Sequence, residues 1–148
     1  MLFRSDWFVV QRSVEQDIVL AGERINSSSE FDARGSQTST SFNGHVCAIS
    51  PADGKVQWVT SVERAAYDRT QPASLPLLML ASRHVERRNA NAFEVRYRMN
   101  AEIIDKRTGR KIYSTEEDSP PQLPRFEPDP EHSRIVANFF GWQLEFSF

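Results

Sequence analysis

The chain has 148 residues, the length of one domain. Its 18 basic and 20 acidic residues leave a net charge of -2, which excludes the electrostatic footprint of a nucleic-acid or anionic-membrane binder. The lone Cys47 excludes an internal disulfide and a cysteine-built metal cage, and no apolar run reaches the ~18 residues of a membrane-spanning helix.

Hydrophobic residues make up 39%, yet there are 10 Phe, 3 Trp and 3 Tyr, a balance that suits half-solvated β-sheets better than a helical bundle. Met1–Gln16 has Arg4 and Asp6 close together and lacks an apolar core of signal-peptide length. Two strands are expected at Trp7–Val10 and Asp17–Ala21, the second ended by Gly22. Residues 26–43 are rich in Ser, Thr, Gly and charge and read as a long exposed loop. Gly44–Ser50 then alternates, Pro51-Ala52-Asp53-Gly54 is turn chemistry, and Lys55–Val62 resumes the alternation, which makes a hairpin.

Glu63–Ser74 reads as polar connection, with a helical turn allowed at Glu63–Tyr67. Leu75–Ala81 is a continuous apolar run, the pattern of a strand buried on both faces. Phe93–Ile103 is the cleanest strand: Phe93, Val95, Tyr97, Met99, Ala101 and Ile103 share one face, with charged and polar residues on the other. Its expected partners are Leu77–Val85 and, across the turn Lys106-Arg107-Thr108-Gly109, Arg110–Thr115. Residues 119–132 carry Pro120, Pro121, Pro124, Pro128 and Pro130 and read as an extended linker. Residues 133–148 close the chain as one more β segment, with Trp142, Leu144, Phe146 and Phe148 on one face and a bend at Gly141.

Two of these hairpins are copies. Ala48-Ile49-Ser50-Pro51-Ala52-Asp53-Gly54-Lys55-Val56-Gln57-Trp58 aligns with Ile103-Ile104-Asp105-Lys106-Arg107-Thr108-Gly109-Arg110-Lys111-Ile112-Tyr113, 55 residues further on. Each is a strand, a polar turn closed by glycine, and an aromatic residue four positions past it. Self-similarity at a fixed spacing is the signature of a repeat architecture.

The copies resemble the tryptophan-docking motif of the quinoprotein-like (PQQ-like) β-propeller repeat family, Ala-x-Asp-x-x-Thr-Gly-x-x-x-Trp. The first copy keeps Ala48, Gly54 and Trp58, with Ser50 and Asp53 at the Asp and Thr positions. The second keeps Asp105, Thr108 and Gly109, with Ile103 and Tyr113 at the Ala and Trp positions. The resemblance implies an all-β fold of antiparallel four-stranded blades over residues 1–118. It also implies that Trp58 and Tyr113 wedge each blade against its neighbour beside the turn glycine. Propellers need about 4–8 blades to close. About two fit here, so the resemblance implies an incomplete ring, either the C-terminal part of a longer protein or a piece completed by other chains. Relatives work outside the cytoplasm, which makes a periplasmic or extracellular location the expectation.

No catalytic constellation emerges. Pyrroloquinoline quinone binding, the activity the family suggests, needs a complete ring and commonly a vicinal disulfide and calcium, so no cofactor is expected. Arg83-His84-Val85-Glu86-Arg87-Arg88, with Arg96 and Arg98, is interleaved with Glu86, Glu94 and Glu102, the pattern of cross-strand ion pairing on a solvated face. His45, His84 and His132 are scattered without metal-ligand spacing. Cys47 reads as a small buried hydrophobe, Ser39 and Ser41 lack a nucleophile elbow, and Glu116-Glu117-Asp118 lacks a calcium-loop pattern. The expected function is a non-enzymatic propeller module acting as a structural or protein-interaction scaffold, with protein partners, no nucleic acid and no membrane span. The alternatives are the end of a quinoprotein-like oxidoreductase whose catalytic blades lie elsewhere, and a stand-alone ligand-binding β-sandwich or barrel.

Overall fold

A computed structural model of the chain describes residues 6–25, 31–32, 41–67, 71–87, 95–118, 125–139 and 142–148. The strands are β1 (Trp7–Arg12), β2 (Asp17–Arg24), β3 (Phe31–Asp32), β4 (Ser41–Ile49), β5 (Val56–Ala66), β6 (Leu77–Arg87), β7 (Val95–Asp105), β8 (Lys111–Asp118), β9 (Arg125–Asp129), β10 (Arg134–Phe139) and β11 (Trp142–Ser147). A 3-10 turn at Pro130–His132 joins β9 to β10, and the described residues contain no α-helix. The fold is all-β, and every strand pairing is antiparallel.

Three sheets form: sheet A in the order β1-β2-β4-β5, sheet B in the order β3-β6-β7-β8, and sheet C in the order β9-β10-β11. Sheet B lies in the middle and is buried on both faces. Toward sheet A it presents Leu78, Leu80 and Ile104, which join Trp7, Ile18, Leu20, Phe42, Val46, Ala48 and Val62 in one cluster. Toward sheet C it presents Leu77, Met79, Ala81, Met99, Ala101 and Ile103, packed with Ile135, Ala137, Leu144 and Phe146. The period-two geometry of a strand sends odd and even residues of β6 to opposite faces, so an unbroken apolar run serves two cores. The strand expected at Leu75–Ala81 is doubly buried as read, but it begins at Leu77 and continues to Arg87.

The two outer surfaces of this stack differ. Val10, Val19, Cys47 and Val59 lie in register across the far side of sheet A, with Phe8 beside them 70% exposed. The far side of sheet C carries an ion-pair cluster instead: Arg134 Nε sits 2.9 Å from Asp129 Oδ2 and its Nη1 3.4 Å from Glu145 Oε2. Hydrogen bonds from His132 and Arg134 hold the Asp129 carboxyl below its usual range.

Several expectations are revised. Residues 119–132 contain β9, whose Arg125–Asp129 pairs with Asn138–Arg134, so this proline-rich stretch supplies sheet C with an edge strand. Pro128 is tolerated there because an edge strand can spare a donor. Within the expected loop at 26–43, Phe31–Asp32 pairs with Ser82–Arg83, and β4 begins at Ser41 with Phe42 fully buried against Trp7, ring centroids 4.6 Å apart. Residues 133–148 fold back as two strands, β10 and β11, with the Phe148 amide donating to the Ser133 carbonyl at 2.9 Å. Glu63–Tyr67 forms no helical turn: β5 runs on to Ala66, a register shift places Arg64 at φ 47°, and Tyr67 bridges to Leu80 of sheet B. Burial of Ala65, Ala66 and Tyr67 outweighs the polar composition around them. The side chains of Arg83, His84, Glu86, Arg87 and Arg96, and all of Arg88, Ser39 and Glu94, lie outside the described structure.

Because Leu80 is fully buried where sheets A and B meet, Leu80→Ala is expected to lower stability by about 2–5 kcal/mol. Phe8→Ala, on the open face, is expected to stay within about 0.5 kcal/mol of wild type. Urea denaturation of both variants checks the contrast.

Candidate functional site

The two copied hairpins have the same backbone. Ala48 pairs with Trp58 and, after a bulge, Ile49 with Val56; Ile103 pairs with Tyr113 and, after the same bulge, Ile104 with Lys111. The Gly54 amide donates to the Ser50 carbonyl at 2.9 Å, and the Gly109 amide donates to the Asp105 carbonyl at 2.8 Å. Both glycines stand at positive φ, 69° and 71°, a region open to glycine and strained for other residues.

The sequence differences between the turns compensate one another. In the second copy the Thr108 hydroxyl hydrogen-bonds to the Asp105 carboxylate, and in the first the Ser50 hydroxyl hydrogen-bonds to the Asp53 carboxylate. Acid and hydroxyl have exchanged places and the bond is kept. The side chain at the later position also accepts from the second amide on: Lys55 N to Asp53 Oδ1 at 3.2 Å, Arg110 N to Thr108 Oγ1 at 3.3 Å. The bonds from Lys55 and Ser50 hold the Asp53 carboxyl below its ordinary range. For Asp105, burial pushes upward, but bonds from Arg107 and Thr108 outweigh it and the net shift is downward.

Each hairpin sends its aromatic ring into the next sheet. Trp58 lies over the Gly109 turn so closely that a Cβ on Gly109 would stand 2.6 Å from the indole. The indole Nε1 donates to the Lys106 carbonyl at 2.8 Å. Around this joint Thr60 Oγ1 donates to the Gly109 carbonyl, Asn100 Nδ2 to the Glu63 carbonyl at 2.6 Å, and Ser82 Oγ to the Arg64 carbonyl. Tyr113 packs edge-on against Phe146 of sheet C, centroids 5.9 Å apart. At Gly54, by contrast, the space a Cβ would fill is open.

The turn that receives Trp58 also holds Lys106, which sequence reasoning treats as an ordinary solvated turn residue. It is 4% exposed. Its amide donates to the Pro76 carbonyl at 2.8 Å, and its carbonyl accepts from Gln16 Nε2 at 2.8 Å as well as from Trp58. Burial pushes the ammonium pKa down to about 8. No local sequence signal marks this burial, which the β1–β2 turn imposes through Gln16.

The remaining candidates fall elsewhere. Cys47 is half-buried on the far side of sheet A, where burial pushes its thiol up, away from a reactive thiolate. Glu102 and Lys111 pair across β7 and β8 at 2.8 Å, and Arg98 with Glu116 at 3.7 Å, as cross-strand charge pairing requires, but Glu102 is buried, so the face expected to be solvated is covered at that position. His132 lies 2.9 Å from Asp129, and no cluster of metal-ligating side chains occurs among the described residues. Among those residues no helix is long and apolar enough to cross a membrane. Compared with known proteins, the chain matches no family model, no curated protein and no solved structure.

The glycines give a direct measure of the joint. Gly54→Ala is expected to cost about 1 kcal/mol from its positive φ. Gly109→Ala adds the collision with Trp58 and is expected to cost about 1–3 kcal/mol more. In a Trp58→Ala background that excess should vanish, which a double-mutant cycle in urea reads out.

Lys106 gives a second prediction, in pH. Below about 8 the amine is protonated in both the folded and the unfolded chain, and folding bears the full cost of burying the charge. Between about 8 and the ordinary 10.5 the folded chain holds fewer protons, so stability rises with pH. Lys106→Met is expected to be more stable than wild type at pH 7 by about 1–3 kcal/mol, with the gap closing by pH ~10.5. Denaturation midpoints of the two proteins across that range check it.

Proposed function

We propose that this chain is a non-catalytic β-propeller repeat module: sheets A and B are four-stranded blades, sheet C is part of a third, and the whole serves as a rigid scaffold for protein contact. The observation that carries the reading is the paired joint, in which equivalent hairpins place Trp58 and Tyr113 on the sheet that follows. Stacking sheets through side-chain pegs gives each sheet two partners, and a series of such joints builds a ring or an arc. In this reading Gly54, Trp58, Asp105, Thr108, Gly109 and Tyr113 are structural docking residues. Further sheets, from the same polypeptide or from other chains, would cover the apolar side of sheet A.

The architecture is tested by an experimentally determined structure of the protein with its partners. In a propeller, the rotation carrying residues 46–58 onto 101–113 also carries sheet B onto sheet C, about one axis running along the inner strands. Two unrelated rotations, or a simple translation, overturn the reading. The scaffold role is tested with a benzophenone on a Val59→Cys variant, irradiated in the producing cells. The expected adduct maps to a β-hairpin bearing Trp or Tyr.

A further inference from the structure

A cavity of about 430 Å³ opens between the β1–β2 turn, the segment before β6 and the turn that follows β7. That volume lies within the usual range of small-molecule sites. Lys106 is on its wall, as are all of residues 73–76. The Lys106 amide donates to the Pro76 carbonyl at 2.8 Å, and its Nζ donates to the Ala73 carbonyl at 3.2 Å. Anchored at both ends, the lysine stem runs along residues 73–76 and carries the ammonium to the wall that they form.

A lysine ammonium has three donors and is seldom buried without a counter-charge. Lys106 is 4% exposed, and among the described residues its ammonium bonds to the Ala73 carbonyl and pairs with no carboxylate. A neutral carbonyl leaves the buried charge uncompensated, which is why burial alone sets the direction of its pKa shift. The other charged groups on the wall are Glu15, exposed on the β1–β2 turn, and Arg107, ion-paired to Asp105 at 3.3 Å. Asp105, the carboxylate next to Lys106 in sequence, is thus committed to Arg107. Val14, Ile18, Leu75 and Pro76 make much of the remaining wall apolar. A cation without a counter-charge beside aliphatic surface selects a ligand that is anionic at one end and hydrocarbon at the other.

We propose that this cavity binds a small aliphatic monocarboxylate, whose carboxylate pairs with the Lys106 ammonium and whose hydrocarbon chain lies against Val14, Ile18, Leu75 and Pro76. The carboxylate accepts charge-assisted hydrogen bonds from the ammonium, and burial of the chain adds a hydrophobic contribution. Binding does not require the sheets to belong to a closed ring, so this proposal stands or falls apart from the scaffold reading.

Affinity is expected to fall as pH rises through about 8, because the neutral amine no longer attracts the carboxylate. Bound carboxylate should in turn move the Lys106 titration upward. The probes are valerate, acetate as the same charge without the chain, 1-pentanol as the chain without the charge, and inorganic phosphate as a different anion. Titration of the full chain at pH 7, by calorimetry and by the ¹⁵Nζ resonance of Lys106, is expected to give saturable valerate binding at millimolar concentration. Each methylene buried on the apolar wall contributes about fourfold in affinity, so acetate is expected to bind roughly tenfold or more weakly. 1-Pentanol is expected to bind more weakly than valerate as well. Lys106→Met should abolish valerate binding while leaving any 1-pentanol binding in place.

Should Lys106→Met fail to fold, the wild-type valerate-to-pentanol ratio and its change between pH 7 and pH 9.5 decide the matter. Equal affinity for acetate and valerate reveals a bare anion site and overturns the proposal, as does phosphate binding more tightly than valerate. Equal affinity for 1-pentanol and valerate overturns it too, as does valerate affinity that is unchanged by Lys106→Met or by the rise in pH. No saturable binding by any probe likewise overturns it and assigns the cavity to water.

Discussion

The contact on which the rest of the structure depends is the indole of Trp58 lying across the Gly109 turn. A β-sheet offers a broad apolar face, and hydrophobic burial alone would let two faces slide or rotate past each other, since it has no direction. The indole removes that freedom. Its ring needs the missing Cβ of Gly109, and its N–H needs the Lys106 carbonyl, so a single side chain sets both position and angle. Thr60, Asn100 and Ser82 add bonds from the same strand pair or its partner to backbone carbonyls, each worth about 0.5–1.5 kcal/mol net. Register between sheets A and B thus rests on directional bonds around a hydrophobic contact.

The second joint follows the same plan with a looser grip. Tyr113 stands where Trp58 stands, on the strand after an identical turn, but it meets the edge of Phe146 rather than a glycine turn. An edge-to-face pair contributes about 0.5–1.5 kcal/mol beyond its buried area. The exchange of acid and hydroxyl between the turns shows that two different sequences reach one turn geometry. Ser50 with Asp53 and Asp105 with Thr108 make the same bond from opposite ends.

Much of this was legible in the residues. Period-two alternation located β7 and both hairpins, and the continuous run from Leu75 gave a strand buried on both faces, because these signals are local and the pleat enforces them. What local reading missed depends on distant chain. Phe42 sits among Ser, Thr and Asn, and neighbours distant in sequence, Trp7 and Leu80 among them, make it core. The prolines at 120–130 announce a linker, but a proline at a sheet edge sacrifices nothing, and β9 forms there. Lys106 follows the aspartate of a turn, where lysine is ordinarily solvated; its burial results from a β1–β2 turn ninety residues earlier folding over it, through Gln16. Tyr113 could be identified as a peg from its alignment with Trp58, whereas its partner Phe146 could not.

The same asymmetry governs the two ends of the stack. Sheet B is covered on both sides, and sheet C turns a network of Asp129, Arg134 and Glu145 outward, which water solvates readily. Sheet A turns outward Phe8, Val10, Val56 and Val59, all well exposed. Gly54, the counterpart of the glycine that seats Trp58, faces open space while keeping the backbone conformation that such seating uses. Of two turns with the same glycine geometry, one receives an indole and the other faces open space, which gives the stack a direction: rings point from sheet A toward sheet C.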